Sequence, residues 1–481
     1  MKKILAVFLC LFAGSLYAQT TFTKLIKNDS ADKAYSMFQS NNGDYFILGS
    51  TNSFGAGKTD IHITKTDGLG KTIWSKTYGS KFNETGLRIK PLFDGGAVVV
   101  GYQKDSADEV TTSLVFKINS LGVVAWARSL VNDSIETLYD VTQAKDGFIY
   151  TTGYIVHDSL DENIIVQRIS NSGTVAWSRS YGGVGNERGF GITEDRDRQL
   201  VVVGSTDNDS SNIGSTGDKD IQLLVINAGG GIVSMHNFGT SNDEYATSVI
   251  ATNDYKYIVG GNTKNAAGEQ DVFTCLIDTN NNVSKEYTFG LDGDDDLNNM
   301  VVKSNGNYLI SASSNSPNNN GGCLLLETTS GGQLESSTVM GGQLEDATSG
   351  VYVTNNIVLG TSILSSGKSG TFSFNDNLQL ARLDNNLRLN CLNASEPATK
   401  SSLSFSKDTY SNFFGNVTSK SIQLTVNTAT NKDSTLCCKL VAEVAADTLD
   451  MCIGDNVKIG GTSNSGVNYN WSASGSSFSS N

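Results

Sequence analysis

Proline is scarce in this chain, with 3 in 481 residues, and histidine is equally rare, at His62, His157 and His236. The three histidines stand at unrelated places in the pattern described below, so a histidine-based metal or nucleophile site has little to draw on. No G-x-S-x-G elbow, H-E-x-x-H or paired C-x-x-C occurs. Basic charge is also short: 35 Lys and Arg stand against 49 Asp and Glu, a net charge of −14. That balance excludes nucleic acid and anionic membrane surfaces as natural partners and favours a neutral glycan, a cation or a basic protein patch. The one strongly apolar run, Ile4–Ala13, is too short to span a bilayer. It follows Lys2 and Lys3 and precedes small residues ending at Ala18, which reads as an export signal over residues 1–18. The mature chain is therefore expected outside the cytoplasm, with no membrane span.

Glycine, by contrast, is abundant, at 50 residues. Residues 136–183 show why: LYDVTQA, FIYTTGY, NIIVQRIS and TVAWSRSYG are alternating apolar runs separated by turns such as Lys145-Asp146-Gly147 and Asn171-Ser172-Gly173. This four-strand unit recurs. Its second strand carries Gly49, Gly101, Gly153, Gly204, Gly260, Ser311 and Gly360 in turn. An acidic residue stands a fixed distance ahead, as Asp32, Glu84, Glu136, Glu187, Asp243 and Asp294, with Glu345 slightly closer in the last unit. A late aromatic, Trp74, Trp126 or Trp177, precedes Tyr78-Gly79 or Tyr181-Gly182, and Phe238-Gly239 and Phe289-Gly290 are their later counterparts. Four strands in roughly 50 residues is the size of a propeller blade. The expected fold is all-β: a seven-bladed β-propeller of four-stranded blades over residues 19–390. Phe22–Lys27 aligns with an outer strand and is expected to pair near Leu378–Asp384, closing the ring and removing its open edges.

Beyond residue 390 the pattern changes. Residues 391–445 read as a strand-poor connecting segment, and residues 446–481, with Trp471, as the start of a β-sandwich. Six cysteines remain after the leader. Cys275 and Cys323 are expected as buried thiols; Cys391, Cys437 and Cys438 are disulfide candidates, with Cys391 joined to Cys437 or Cys438.

Two features invite a ligand. The junction acids Asp32, Glu84, Glu136, Glu187, Asp243, Asp294 and Glu345 are expected to encircle one rim, where they either brace the blade junctions or bind a cation or polyhydroxy ligand. Asp292, Asp294 and Asp296 alternate like the opening ligands of a calcium loop. Leu297 and Lys303 stand where an EF-hand needs Gly and Glu, which leaves only a looser calcium site. The outer-strand tryptophans are expected to pack between blades.

Tyr181–Thr206, YGGVGNERGFGITEDRDRQLVVVGST, resembles the SBBP-type β-propeller repeat of bacterial surface proteins. The tail from Asp447 resembles the start of a PKD-like or immunoglobulin-like domain. The resemblance implies an exported surface protein, of the kind sent out by type IX secretion in gliding bacteria. On this reading the protein is a non-catalytic, monomeric binding or adhesion module for a surface glycan or protein partner, without a cofactor unless calcium serves as one. The alternatives are a glycan-active enzyme using rim carboxylates and a ligand-free spacer in a surface fibre.

Overall fold

The computed structural model describes residues 20–340 apart from 28–31, 53–54, 56–57, 105–110, 131–134, 157–160, 184, 208–218, 279 and 316–321, and beyond residue 340 the strands named below together with Leu387. The chain forms an all-β propeller. Six blades repeat one plan over residues 32–79, 83–130, 136–181, 187–239, 244–290 and 295–340, each an antiparallel meander of four strands. Tight turns link the strands. Gly43, Gly95, Gly147 and Gly306 take positive φ in the turns between first and second strands, which suits residues without a Cβ.

The sheet that closes the ring is built differently. Glu345–Val353, Asn356–Leu364 and Asp376–Leu383 come from one end of the chain. The N-terminal strand Thr20–Lys27 lies beside them, with Phe22 opposite Arg382 and Ile26 opposite Leu378. Lys432–Leu440 and Leu449–Cys452 then extend the sheet to six strands.

The tail also corrects the expected architecture. Asn393–Ala394, Thr399–Ser402, Ser406–Thr409, Phe414–Asn416, Ser419–Ser421 and Thr425–Thr428 pair in turn with the outer strands of blades six, five, four, three, two and one. The chain runs back around the circumference as a belt and makes each of these blades five-stranded. The expectation of seven like, four-stranded blades with a partial sandwich behind them is therefore overturned: six blades, not seven, share one plan, the closing sheet is composite, and no sandwich is shown among the described residues. The cause is the outer edge of each meander, whose free N–H and C=O groups are satisfied by short polar strands. Residues 453–481, including Trp471, and the leader 1–18 lie outside the described residues.

The core is a series of layers between neighbouring blades. Ile61, Ile63, Tyr78, Val99, Leu114 and Phe116 form one layer; Val201, Leu223, Phe238, Val259 and Phe273 form another. Side chains of the outer strands lock each blade to the next. Trp126 Nε1 donates to Asn171 O at 3.1 Å, Trp177 Nε1 to Ala228 O at 3.1 Å, and Tyr181 Oη to Gly230 O at 2.8 Å. Gly173 shows how tight this is. It has φ 85°, and a Cβ there would lie 2.6 Å from the Trp126 ring. Phe22 covers Gly70 in the same manner, so the N-terminal strand meets blade one as an ordinary outer strand would.

Candidate functional site

Two positions of each blade's first strand matter, and they face different surroundings. The strand opens with the junction acid. Glu84, Glu136 and Glu187 are at most 1% exposed. Pairing registers place the equivalent residue at Asp32, Glu84, Glu136, Glu187, Glu244, Asp295 and Glu345. In blades five and six it is thus Glu244 and Asp295, not Asp243 and Asp294. The matching second-strand residues are Gly261, Ala312 and, in the closing sheet, Thr361, each one place after Gly260, Ser311 and Gly360. Adjacent Gly-Gly and Asp-Asp pairs hid the shift. Asp32 and Glu345 hold this register on the backbone, and their side chains lie outside the described residues.

Four of the described junction acids turn inward on their own loops. Glu84 accepts from Ser80 N at 3.1 Å, Glu187 from Gly183 N at 3.1 Å, Glu244 from Thr240 N at 2.9 Å and Asp295 from Leu291 N at 2.6 Å. Each carboxylate reaches four residues back and clamps the turn between blades. Burial pushes their pKa values up, to about 7 for Glu84 and Glu187, about 8 for Glu136 and about 6 for Asp295. Asp243 and Asp294 lie further out, paired with Lys264 Nζ and accepting from Gln270 N respectively.

Asp292, Asp294 and Asp296 are exposed, and among the described residues no three acidic, histidine or cysteine side chains form a group able to hold a metal ion. Asp294 is engaged by Gln270 and Asn315, and Asp296 accepts from Tyr245 Oη at 3.2 Å. Cys275 and Cys323 are buried thiols. Cys391 lies outside the described residues. Cys437 stands in the closing sheet opposite Cys452, and Cys438 opposite Met451 and Phe22.

Three residues after the acid, every first strand is bulged, and one residue there has no partner on the second strand: Tyr35, Leu87, Tyr139, Phe190, Thr247 and Asn298 in blades one to six. A bulge re-aims its side chain. These six, with Arg88 and Leu297, line a cavity of about 230 Å³ contributed by the first strands of all six blades, hence on the ring axis. The aromatics continue toward the rim. Tyr139 and Phe190 are 4.9 Å apart between ring centroids, Tyr139 and Tyr154 6.0 Å, and Phe190 and Tyr245 6.3 Å. All four rings are half-buried.

Charge around them is largely balanced. The Arg188 guanidinium lies 4.7 Å from the Tyr154 ring centre and makes a two-pronged pair with Glu162. Arg88 Nε lies 3.4 Å from Asp140 Oδ1. Gln270 donates to Tyr245 Oη, which in turn donates to Asp296. Burial, with Tyr154 nearby, raises the Tyr139 pKa to about 12, so this ring stays neutral. The arrangement offers flat apolar faces framed by fixed hydrogen-bonding groups. Such a mixture suits ring-shaped polyhydroxy ligands. No sequence signal marked these residues, because a bulge breaks the two-residue alternation and each blade puts a different side chain there.

No family model and no curated protein matches the chain. Solved structures resemble it in architecture. One is an ulvan lyase of a polysaccharide lyase family, PL25, at 10% identity and TM-score 0.49, covering 80% of this chain and 98% of that one. Another is the β-propeller domain of the trilobed protease from Pyrococcus furiosus, at 9% identity and TM-score 0.42, covering 78% and 100%. A protein of unknown function from Dyadobacter fermentans gives 10% identity and TM-score 0.41, covering 76% and 99%.

Proposed function

We propose that this chain is a non-catalytic binding module that takes a neutral polysaccharide segment at the mouth of the axial cavity, and that it acts as an exported surface or secreted protein. The observation that carries the reading is the run of half-buried rings Tyr154, Tyr139, Phe190 and Tyr245, whose neighbouring charges are already paired. Stacking against sugar faces needs flat apolar area, and balanced charge matches an uncharged chain better than a polyanion. Glu162 and Asp296 are engaged by Arg188 and Tyr245, which favours holding a glycan over cleaving one. The export-signal pattern read in residues 1–18 and the resemblance to surface-protein repeats support the location.

The test is a panel of neutral and acidic polysaccharides screened by affinity electrophoresis, with reducing ends assayed in parallel. Retardation by a neutral polysaccharide, lost in the double variant Tyr139→Ala/Phe190→Ala, is the expected result. Release of reducing ends would replace the reading with a glycan-active enzyme, and no retardation by any polymer would replace it with a spacer.

A further inference from the structure

The junction acids have a second partner that the clamp does not use. The residue opening the third strand of one blade lies beside the junction acid of the next. It is Asp60 beside Glu84 and Asp220 beside Glu244, where the N–H groups of Glu84 and Glu244 donate to Thr59 O at 2.9 Å and Lys219 O at 2.8 Å, the residues just ahead of the aspartates; in blade five it is Asp271, one place into its strand, beside Asp295. A methyl group on Gly79 would lie 1.6 Å from Oδ1 of Asp60 and 2.9 Å from Oε2 of Glu84, so those oxygens are no farther apart than the sum of the two distances. Gly290 stands likewise, 2.3 Å from Asp271 Oδ1 and 3.0 Å from Asp295 Oδ2. Glycine recurs at these strand ends because the carboxyl groups fill the space that a side chain would need.

Two ionised carboxylates this close and this dry repel each other. The other junctions show what relieves that repulsion. Where the pairs have Asp, blade two has Thr112, and the hydroxyl of the next residue, Ser113, is hydrogen-bonded to Glu136 Oε2 at 3.3 Å; blade three has Asn163, set against Glu187. Hydroxyl and amide are both neutral and both able to donate. An aspartate becomes equivalent to them only by carrying a proton. Glu84 Oε2, the oxygen beside Gly79 and Asp60, is buried with no hydrogen-bond partner, as expected of an oxygen set to share one.

We infer that each of the three junctions Asp60–Glu84, Asp220–Glu244 and Asp271–Asp295 holds a shared proton, a carboxylic acid bonded to a carboxylate, and that the ring tightens in mild acid and loosens as pH rises. The charges that reach these groups agree: Asp60 acts on Glu84, Glu244 on Asp220, Asp243 on Glu244, Glu269 on Asp271, and Asp271 and Asp296 on Asp295, all negative. The hydrogen bonds from Ser80, Thr240, Thr263, Asn265, Ser314 and Leu291 oppose the shift without reversing it.

The sign follows from linkage. Burial raises Asp220, Asp271 and Asp295 to about 6 and Glu84 to about 7, whereas unfolded carboxyls titrate near 4. The folded chain binds more protons between those values. Its extra stability is complete below about pH 4 and is lost as pH rises through 6 to 7.

The test compares full-length wild type with Asp60→Asn/Asp220→Asn/Asp271→Asn by thermal melting at pH 5 and pH 8, with chelator and with millimolar calcium. Wild type is expected to lose several degrees between pH 5 and 8 and the variant fewer, the remainder coming from Glu136 and Glu187, with a higher variant Tm than wild type at pH 8. Parallel curves overturn the inference. So does calcium raising wild type at pH 8 but not the variant, since the pairs would then hold a cation. If the triple variant does not fold, infrared difference spectra of wild type and the single variant Asp60→Asn decide: a protonated-carboxyl band that fades between pH 5 and 8 and is smaller in the variant supports the shared protons, and a band of equal size in both, or none, overturns them.

Discussion

The opening acid and the bulged residue sit three positions apart on the same strand, yet the first recurs as an acid in every blade and the second differs among Tyr35, Leu87, Tyr139, Phe190, Thr247 and Asn298. The acid is buried and satisfies the turn of its own junction. The bulged residue faces a shared cavity, where nothing in the geometry of a single blade dictates its side chain. Repetition therefore marks what the blade needs to form, and variation marks where the ring can carry a specificity.

That contrast breaks most visibly where the repeat is tightest. Trp126→Ala should destabilise by about 3–5 kcal/mol, as for large core aromatics, because it empties the layer between blades two and three. Gly173→Ala should cost about 2–4 kcal/mol, from positive φ and from the Trp126 ring beside it. Denaturant unfolding measures both, and a loss below 1 kcal/mol for either would mean that the blades are not locked through these turns. Glu187→Ala should cost about 1–3 kcal/mol by leaving Gly183 N–H buried without its acceptor, with no change in polysaccharide retardation. Tyr139→Ala should behave in the opposite way. It is expected to weaken glycan binding by about 1 kcal/mol, roughly fivefold, with a smaller effect on stability than Glu187→Ala.

Much of the blade plan was legible from turns and alternation, since a glycine such as Gly147 punctuates strands whose apolar residues recur every second position. Register was less so. In YIVGGNT either glycine fits the pattern, and only the pairing of Gly261 with Ala246 selects the second. The belt escaped notice because strands of two to four mostly polar residues carry no periodicity, and they fold only because an existing edge offers them partners. The axial aromatics escaped because their placement depends on a bulge in each blade and on six blades converging, neither of which is a property of any one stretch of chain.

The most direct test of the account sets the two positions against each other: retardation by the polysaccharide bound most strongly, measured for wild type, Glu187→Ala and Tyr139→Ala/Phe190→Ala under conditions where all three remain folded. The prediction is unchanged binding for Glu187→Ala and lost binding for the aromatic double variant. Loss in Glu187→Ala with binding retained in the double variant would place the ligand on the acidic junctions and contradict the assignment of the axial mouth.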